Sequence, residues 1–288
     1  MTYPDGPLPG LPTDRAELLA AAAAEYDRYQ PGVPPEAADL LADTLRDLPD
    51  PTLLDLGTGT GQVPKALLKA LPCLDYIEGG DWSRPMLDQA RTALTPELGN
   101  CTLSLVQTSA EVYAPLAPLP GEQWWTPDLI TCCRAYPWMS GPDVLARAHR
   151  IASPQASLAI MGDGTLWTHK ADWSQALRRL IRQYLGAVRA DVLGALPKPL
   201  RPIQEELADS AWSDVSEHRF PVTRSWTPQR VLGYLRTTSF AGTGLFTGRH
   251  AAFEEEARTL LDDLADGGDL LEETEFTVLL ARRPAGAR

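Results

Sequence analysis

The chain of 288 residues is short of basic residues, of histidine and of sulfur. Twenty-six Lys and Arg stand against 38 Asp and Glu, a formal charge of −12. Nucleic acid and anionic membranes are held through basic surface, so neither is expected as the main partner. The four cysteines, Cys73, Cys101, Cys132 and Cys133, form no CxxC, and no histidine pair stands near them at a metal spacing. Neither a structural zinc site nor a disulfide framework is expected. No apolar run reaches the roughly 18 to 20 residues of a membrane helix. The opening MTYPDGPLPGLPTD has neither the basic nor the apolar region of a secretory signal. A cytoplasmic protein, monomer or homodimer, is the expectation. What the chain does have is 44% hydrophobic and 22% charged residues, ordinary globular proportions that permit a sizeable core. Its 26 prolines are scattered through apolar sequence without a period, and so punctuate loops.

Periodicity predicts a helix over Asp14 to Tyr29, with Asp14 and Glu17 as a capping pair, and a second from Pro34-Pro35 through Leu48. Thr52 to Leu56 is a short apolar run that ends in glycines, and Gln62 to Leu71 follows with helical spacing. The alternation continues with a strand over Leu74 to Gly80, a helix capped by Ser83 through Leu94, and strands at Cys101 to Gln107 and Asp128 to Cys133. A helix over Pro142 to Ile151 and a strand over Ala156 to Met161 complete the series. Strands alternating with helices imply right-handed crossovers and a mostly parallel, doubly wound α/β sheet with helices on both faces. The rhythm then breaks. A helix over Asp172 to Asp191 and a proline-containing stretch, Leu196 to Ile203, precede a strand at Val215 to Val222. Helices over Thr227 to Thr238 and Ala251 to Ala265 lead to a last strand, Glu275 to Ala281. The expected organisation is one domain over 1–288: a helical cap (1–50), a core (51–162), a helical insertion (165–213) and the rest of the sheet (214–288).

Asp55-Leu56-Gly57-Thr58-Gly59-Thr60-Gly61 sits where a strand hands over to a helix, the place where open α/β sheets bind ligands. Glycines there let backbone approach a ligand, and free amides face it at the helix start. A dinucleotide fingerprint would need glycine at Gln62, and a P-loop would need GK[ST]; the chain has neither. What stands is an acid two residues before a GxGxG.

With its surroundings this arrangement resembles the class I S-adenosylmethionine-dependent methyltransferases, in particular the small-molecule branch of ubiquinone-biosynthesis and trans-aconitate methyltransferases. LLDLGTGTGQVPKALL looks like the first motif of that family, and YIEGGDWSRPMLDQAR like its G-x-D-x-S-x-x-M-L-x-x-A-R. The resemblance implies a Rossmann-like fold and a cofactor site made of Asp55, Gly57, Thr58, Gly59, Gly61, Asp81, Trp82 and Met86. In it Asp81 accepts the ribose hydroxyls and Trp82 flanks the adenine. Gln107 to Glu111 is similar to the family's G-D-A-E, which implies Ser109, Ala110 and Glu111 beside the adenine. PDLITCCRAYPWMS resembles D-L-V-T-x-x-x-A-x-H-W-F, with Pro137 in place of the histidine; Cys133 joins the cofactor site here, and Trp138 the acceptor site. AAEYDRYQPGVPPEAADLL is similar to the amino-terminal Y-D-x-Y-R-P-x-Y-P that closes over the cofactor, with Gln30 in place of the arginine; Tyr26 is assigned to the cofactor and Tyr29 to the acceptor. SWTPQRVLGYLRTTSF matches the late W-T-x-E-x-x-x-x-Y-L-x-x-x-S.

Methyl transfer from a sulfonium is an in-line displacement that demands near-attack geometry and exclusion of water, and no metal. A phenol, alcohol or carbon acceptor gains from a general base. His169, after the fifth strand in GDGTLWTH, is the first candidate, with Tyr136 as second and Trp167 as an acceptor contact. His149, His218 and His250 read as surface or packing residues. Cys132 and Cys133 point to opposite sides of a buried strand, so at least one reads as core, and neither as a nucleophile, since no histidine partner is predicted. Trp124-Trp125 reads as a loop anchor or a lid. Arg178, Arg179, Arg182, Arg189, Lys198 and Arg201 in the insertion form either a solvated face or a site for an acidic acceptor. The rival readings are a non-methylating protein that binds the same cofactor, and a nicotinamide oxidoreductase.

Overall fold

The computed structural model describes residues 23–115, 125–187, 201–238, 240–246 and 248–284. In chain order its main elements are α1 (Ala23–Tyr29), α2 (Pro35–Asp43), β1 (Thr52–Leu56), α3 (Gln62–Ala70), β2 (Tyr76–Asp81), α4 (Arg84–Leu94), β3 (Thr102–Gln107), β4 (Leu129–Cys133), α5 (Gly141–Ile151), β5 (Ser157–Gly162), α6 (Asp172–Leu185), α7 (Ile203–Ala208), β6 (Asp214–Trp226), α8 (Pro228–Arg236), α9 (His250–Ala265) and β7 (Leu270–Arg282). The seven strands form one sheet in the order β3-β2-β1-β4-β5-β7-β6. β1 to β5 are parallel, and β7 runs antiparallel to β5, from Ser157↔Arg282 to Gly162↔Thr277. This is the doubly wound α/β sheet expected from the alternating pattern, and its order reverses between β1 and β4, where such sheets bind ligands.

Two compact units divide the chain. The sheet unit holds Gly32–Asp163, Pro197–Phe220 and the described residues from Phe276 onward, and so all of β1 to β5. Its central strands are apolar on both faces, as parallel strands covered by helices must be: Leu53, Leu54, Ile130, Leu158 and Ala159 are buried. One core cluster joins Leu54, Ile130 and Leu158 to Val144, Leu145 and Ala148 of α5, to Leu207 of α7 and to Trp212. Pro35 opens α2 and Pro85 lies in the first turn of α4, where the missing amide proton costs nothing.

The helical unit holds the described parts of Met1–Pro31, Gly164–Leu196 and Pro221–Glu275. α9 packs on α6 and α8, and α8 on α1. The core is aromatic-rich, with Trp173, Trp226, Phe240, Phe246 and Phe253. Close approach of α1 and α8 rests on Gly233, where a Cβ would stand 2.5 Å from the Tyr29 ring.

Several element bounds differ from the sequence reading. α6 stops at Leu185, because Gly186 takes a φ of +82°. Ile203 starts a six-residue helix where a proline-containing connection was expected to end. β6 and β7 each run to 13 residues, longer than read, because charged and apolar residues alternate along strands with one half-exposed face. The start of the first expected helix, 14–22, lies outside the described residues, as do Trp124, Arg189 and Lys198. Among the described residues no helix is long and apolar enough to cross a membrane.

Candidate cofactor and acceptor site

The loop after β1 alternates left-handed glycines, with φ of +69° at Gly57, +54° at Gly59 and +82° at Gly61. A side chain would be strained at each, and at Gly57 a Cβ would also stand 2.5 Å from the Ala135 Cβ. The end of β2 fixes the loop. Gly57 N and Thr58 N donate to the Gly80 carbonyl at 2.8 and 3.1 Å. Asp81 then clamps two more amides, with Oδ2 accepting from Gly59 N at 2.9 Å and Oδ1 from Ser83 N at 2.8 Å. Burial raises the pKa of the Asp81 carboxyl above its ordinary value, against the pull of those two amides.

Asp55 is buried on β1, where Thr131 of β4 donates to its Oδ1 at 2.6 Å. Burial pushes its pKa up to about 7, even though the Thr131 and Thr58 hydroxyls favour the charged form. Oδ2 lacks a well-formed hydrogen bond, as do the buried Thr60 and Ser83 hydroxyls. Beside them a Cβ on Gly59 would meet no heavy atom within 4 Å. The turn is therefore open at Gly59.

The other expected cofactor residues of the sheet unit follow strand ends. Trp82 is half-buried, and its carbonyl accepts from the Gln107 side chain at 3.1 Å. Met86 and Ala110 are buried. Ser109 is half-buried, while Glu111 accepts from the amide of Ser140, the residue before α5, at 2.9 Å. Burial pushes the Cys133 thiol up to about 12 and the Cys132 thiol well above its ordinary value, so neither is a thiolate nucleophile. Tyr136 is buried with its hydroxyl donating to Glu206 at 2.8 Å. Burial and that carboxylate both raise its pKa, which makes the phenol a committed donor and unsuited to act as a base. Trp138 is half-buried in the 3-10 turn that follows β4. Trp125 packs edge-on against Tyr76, with centroids 5.0 Å apart.

Tyr26, Tyr29, Trp167 and His169 belong to the helical unit. His169 is nearly buried, with Nε2 3.0 Å from Glu272 Oε1 but off line for a well-formed hydrogen bond, and Nδ1 without a partner. Glu272 also accepts from Arg224 at 2.9 Å and from the Trp226 indole at 2.6 Å. Burial alone would raise its pKa, but His169, Arg224 and Trp226 outweigh burial and hold it below its ordinary value. Trp167 packs on Phe240, and its buried indole nitrogen has no acceptor. Of the other histidines, His149 accepts from Arg283 at 3.0 Å, His218 pairs with Ser216 and His250 packs on Phe246. The sequence reading did not single out Arg134 or Glu272. A Glu within the acidic run of β7 carries no local sign that it is buried.

No family model matches the chain. Two proteins of Mycobacterium tuberculosis and Mycobacterium bovis, each named an uncharacterized methyltransferase, are 26% identical over 233 residues, 80% of this chain and 80% of their own length. A Schizosaccharomyces pombe protein with the same description is 23% identical over 163 residues, 57% of this chain and 58% of its own. Among solved structures, a proposed type II methyltransferase of Anaeromyxobacter dehalogenans superposes with a TM-score of 0.55 at 17% identity, over 88% of this chain and 97% of that one. A proposed methyltransferase of Bacillus halodurans gives 0.51 at 16%, over 87% of this chain and all of the other. These two share the fold. In sequence the chain is similar to these methyltransferases, and its sheet has the fold of the two solved structures.

Proposed function

We propose that the protein transfers the methyl group of S-adenosylmethionine to a nucleophile on a small-molecule acceptor. The observation that carries this is the glycine turn clamped by Asp81 and open at Gly59, in a unit that also holds the buried Asp55 Oδ2 and the Thr60 and Ser83 hydroxyls without well-formed hydrogen bonds. Bound there, the cofactor would supply an electrophilic methyl on a sulfonium. The chain's own residues position it: the close-approaching backbone of the turn and the Asp55 carboxyl at the amino-acid part, Asp81 at the ribose, Trp82 and the Ser109–Ala110 backbone at the adenine. His169 is the candidate base, and its unpartnered Nδ1 could take the acceptor proton. Arg178, Arg179 and Arg182 concentrate positive charge on α6, and burial together with the other two arginines lowers the Arg178 pKa. That concentration supports an anionic acceptor. Four free thiols suit a cytoplasmic setting.

Calorimetry with S-adenosylhomocysteine and with NAD+ tests the reading: the first is expected to bind and the second not, and the reverse would sink it. Incubation of a small-molecule extract with methyl-deuterated S-adenosylmethionine separates the non-methylating rival. A labelled methyl on one acceptor is expected, and none is compatible with that rival alone.

The raised Asp55 pKa gives a second expectation. The folded group keeps its proton to about 7 from an ordinary value of 3.8, so its contribution to ligand-free stability falls as pH rises through that window. The ammonium group of the cofactor favours the ionised form, so binding below pH 7 releases a proton. Affinity for S-adenosylhomocysteine is expected to be roughly tenfold weaker at pH 6 than at pH 8. Asp55→Asn should flatten that dependence; a flat profile in the unaltered protein would remove Asp55 from this role.

A further inference from the structure

Arg134 is the first residue beyond β4, and with Asp266 it is one of two non-glycine residues with positive φ among the described residues, at +58°. A left-handed backbone disfavours every residue with a Cβ, and persists where surrounding contacts over-determine it. Here the contacts belong to the guanidinium. Nε and Nη2 grip the two oxygens of Asp163 at 2.7 and 3.2 Å, Nη1 donates to Gln62 Oε1 at 3.2 Å, and Nη2 reaches the Gly32 carbonyl at 3.5 Å. The Phe276 ring lies beneath it, 5.6 Å from the guanidinium carbon. All of these partners are in the sheet unit.

The placement is specific. Gln62 directly follows Gly61 and is the first residue of α3, so Arg134 is tied to the far end of the glycine turn. Asp163 directly follows β5, which pairs with β4 on one side, and Asp55 lies on β1, which pairs with it on the other, so a carboxylate stands on each strand that flanks β4. The Asp163 side chain is 4% exposed and that of Arg134 is 18%, so the guanidinium is partly desolvated and pre-oriented against the Asp163 carboxylate. A ligand that puts an ammonium against Asp55 and a carboxylate against Arg134 would match this pattern with no net charge added.

We propose that Arg134 recognises the α-carboxylate of the amino-acid part of the cofactor, making it a specificity-determining residue for that half of the molecule. The inference rests on the methyltransferase reading. A planar fork already fixed by Asp163 and Gln62 loses little freedom when it takes a second carboxylate, and the long contact to the Gly32 carbonyl is the one a carboxylate would replace. No bond is made or broken at Arg134.

The test compares S-adenosylhomocysteine with 5′-methylthioadenosine, which has the adenosine and sulfur but no amino-acid carboxylate. Calorimetry is run on the full chain, on Arg134→Lys and on Arg134→Gly. Glycine tolerates the left-handed φ, so it removes the side chain without added strain. Both variants are expected to lose at least tenfold in affinity for S-adenosylhomocysteine while binding 5′-methylthioadenosine as the unaltered protein does. Equal losses for both ligands would reduce Arg134 to a brace for the turn and overturn the proposal, as would unchanged binding of both. Binding of neither ligand by the unaltered protein would overturn the methyltransferase reading and this proposal with it.

Discussion

Asp81→Ala is expected to weaken S-adenosylhomocysteine binding by about a hundredfold while leaving the protein folded. The carboxylate holds the amides of Gly59 and Ser83, so it shapes both the glycine turn and the entry to α4. Each oxygen keeps acceptor capacity beyond its amide, and that is what the ribose hydroxyls would use. Charge-assisted hydrogen bonds contribute roughly 1.5 kcal/mol or more each, and loss of two amounts to about 3 kcal/mol. That energy corresponds to about two orders of magnitude in affinity. The sheet and its core do not depend on Asp81, so the fold survives at some cost in stability. Calorimetry beside a thermal melt checks both halves; affinity within a few-fold of the unaltered protein would remove Asp81 from the cofactor site.

Glu272→Gln is expected to cost about 3 kcal/mol of unfolding free energy, the typical penalty for removing one partner of a buried ion pair. Glutamine is not a neutral replacement there, although its shape is almost the same. Glu272 is buried, and its two oxygens serve the Arg224 guanidinium, the Trp226 indole and the His169 ring. An amide has one oxygen, and its NH2 would face a donor. Since the folded pKa lies below the ordinary 4.5, the stabilising contribution is present above that value and is lost as pH falls through the folded pKa. Urea unfolding at pH 7 measures the cost, and the difference between variant and parent should shrink in acid. A cost under about 1 kcal/mol at pH 7 would show that the cluster is not a stability element. The same cluster orients His169, so a folded variant should also lose turnover once the acceptor is known.

These expectations differ in how far the sequence could have supplied them. Asp81 was readable because its role is local: a carboxylate at a strand end, followed by a capping Ser83 and Pro85, has few alternatives. The alternation of β1 to β5 with α3 to α5 was readable for the same reason, since helical and strand periods are short-range. The ends of β6 and β7 were not, because alternating charged residues on a half-exposed strand look like loop. His169 was singled out from its position after β5, but its partner could not be. Glu272 lies in an acidic run where nothing local separates a buried carboxylate from its exposed neighbours Leu271 and Glu273.

The sequence by itself determined the parallel sheet, the glycine turn and the acid that clamps it, because turn chemistry and hydrophobic period act over a few residues. Only the tertiary structure decided which charges meet. Thr131 reaches Asp55 across 76 positions and Trp226 reaches Glu272 across 46. The left-handed backbone of Arg134 is likewise held by residues from two other segments, Gln62 and Asp163. Burial and partnership in three dimensions set whether a side chain is a ligand, a clasp or a counter-ion.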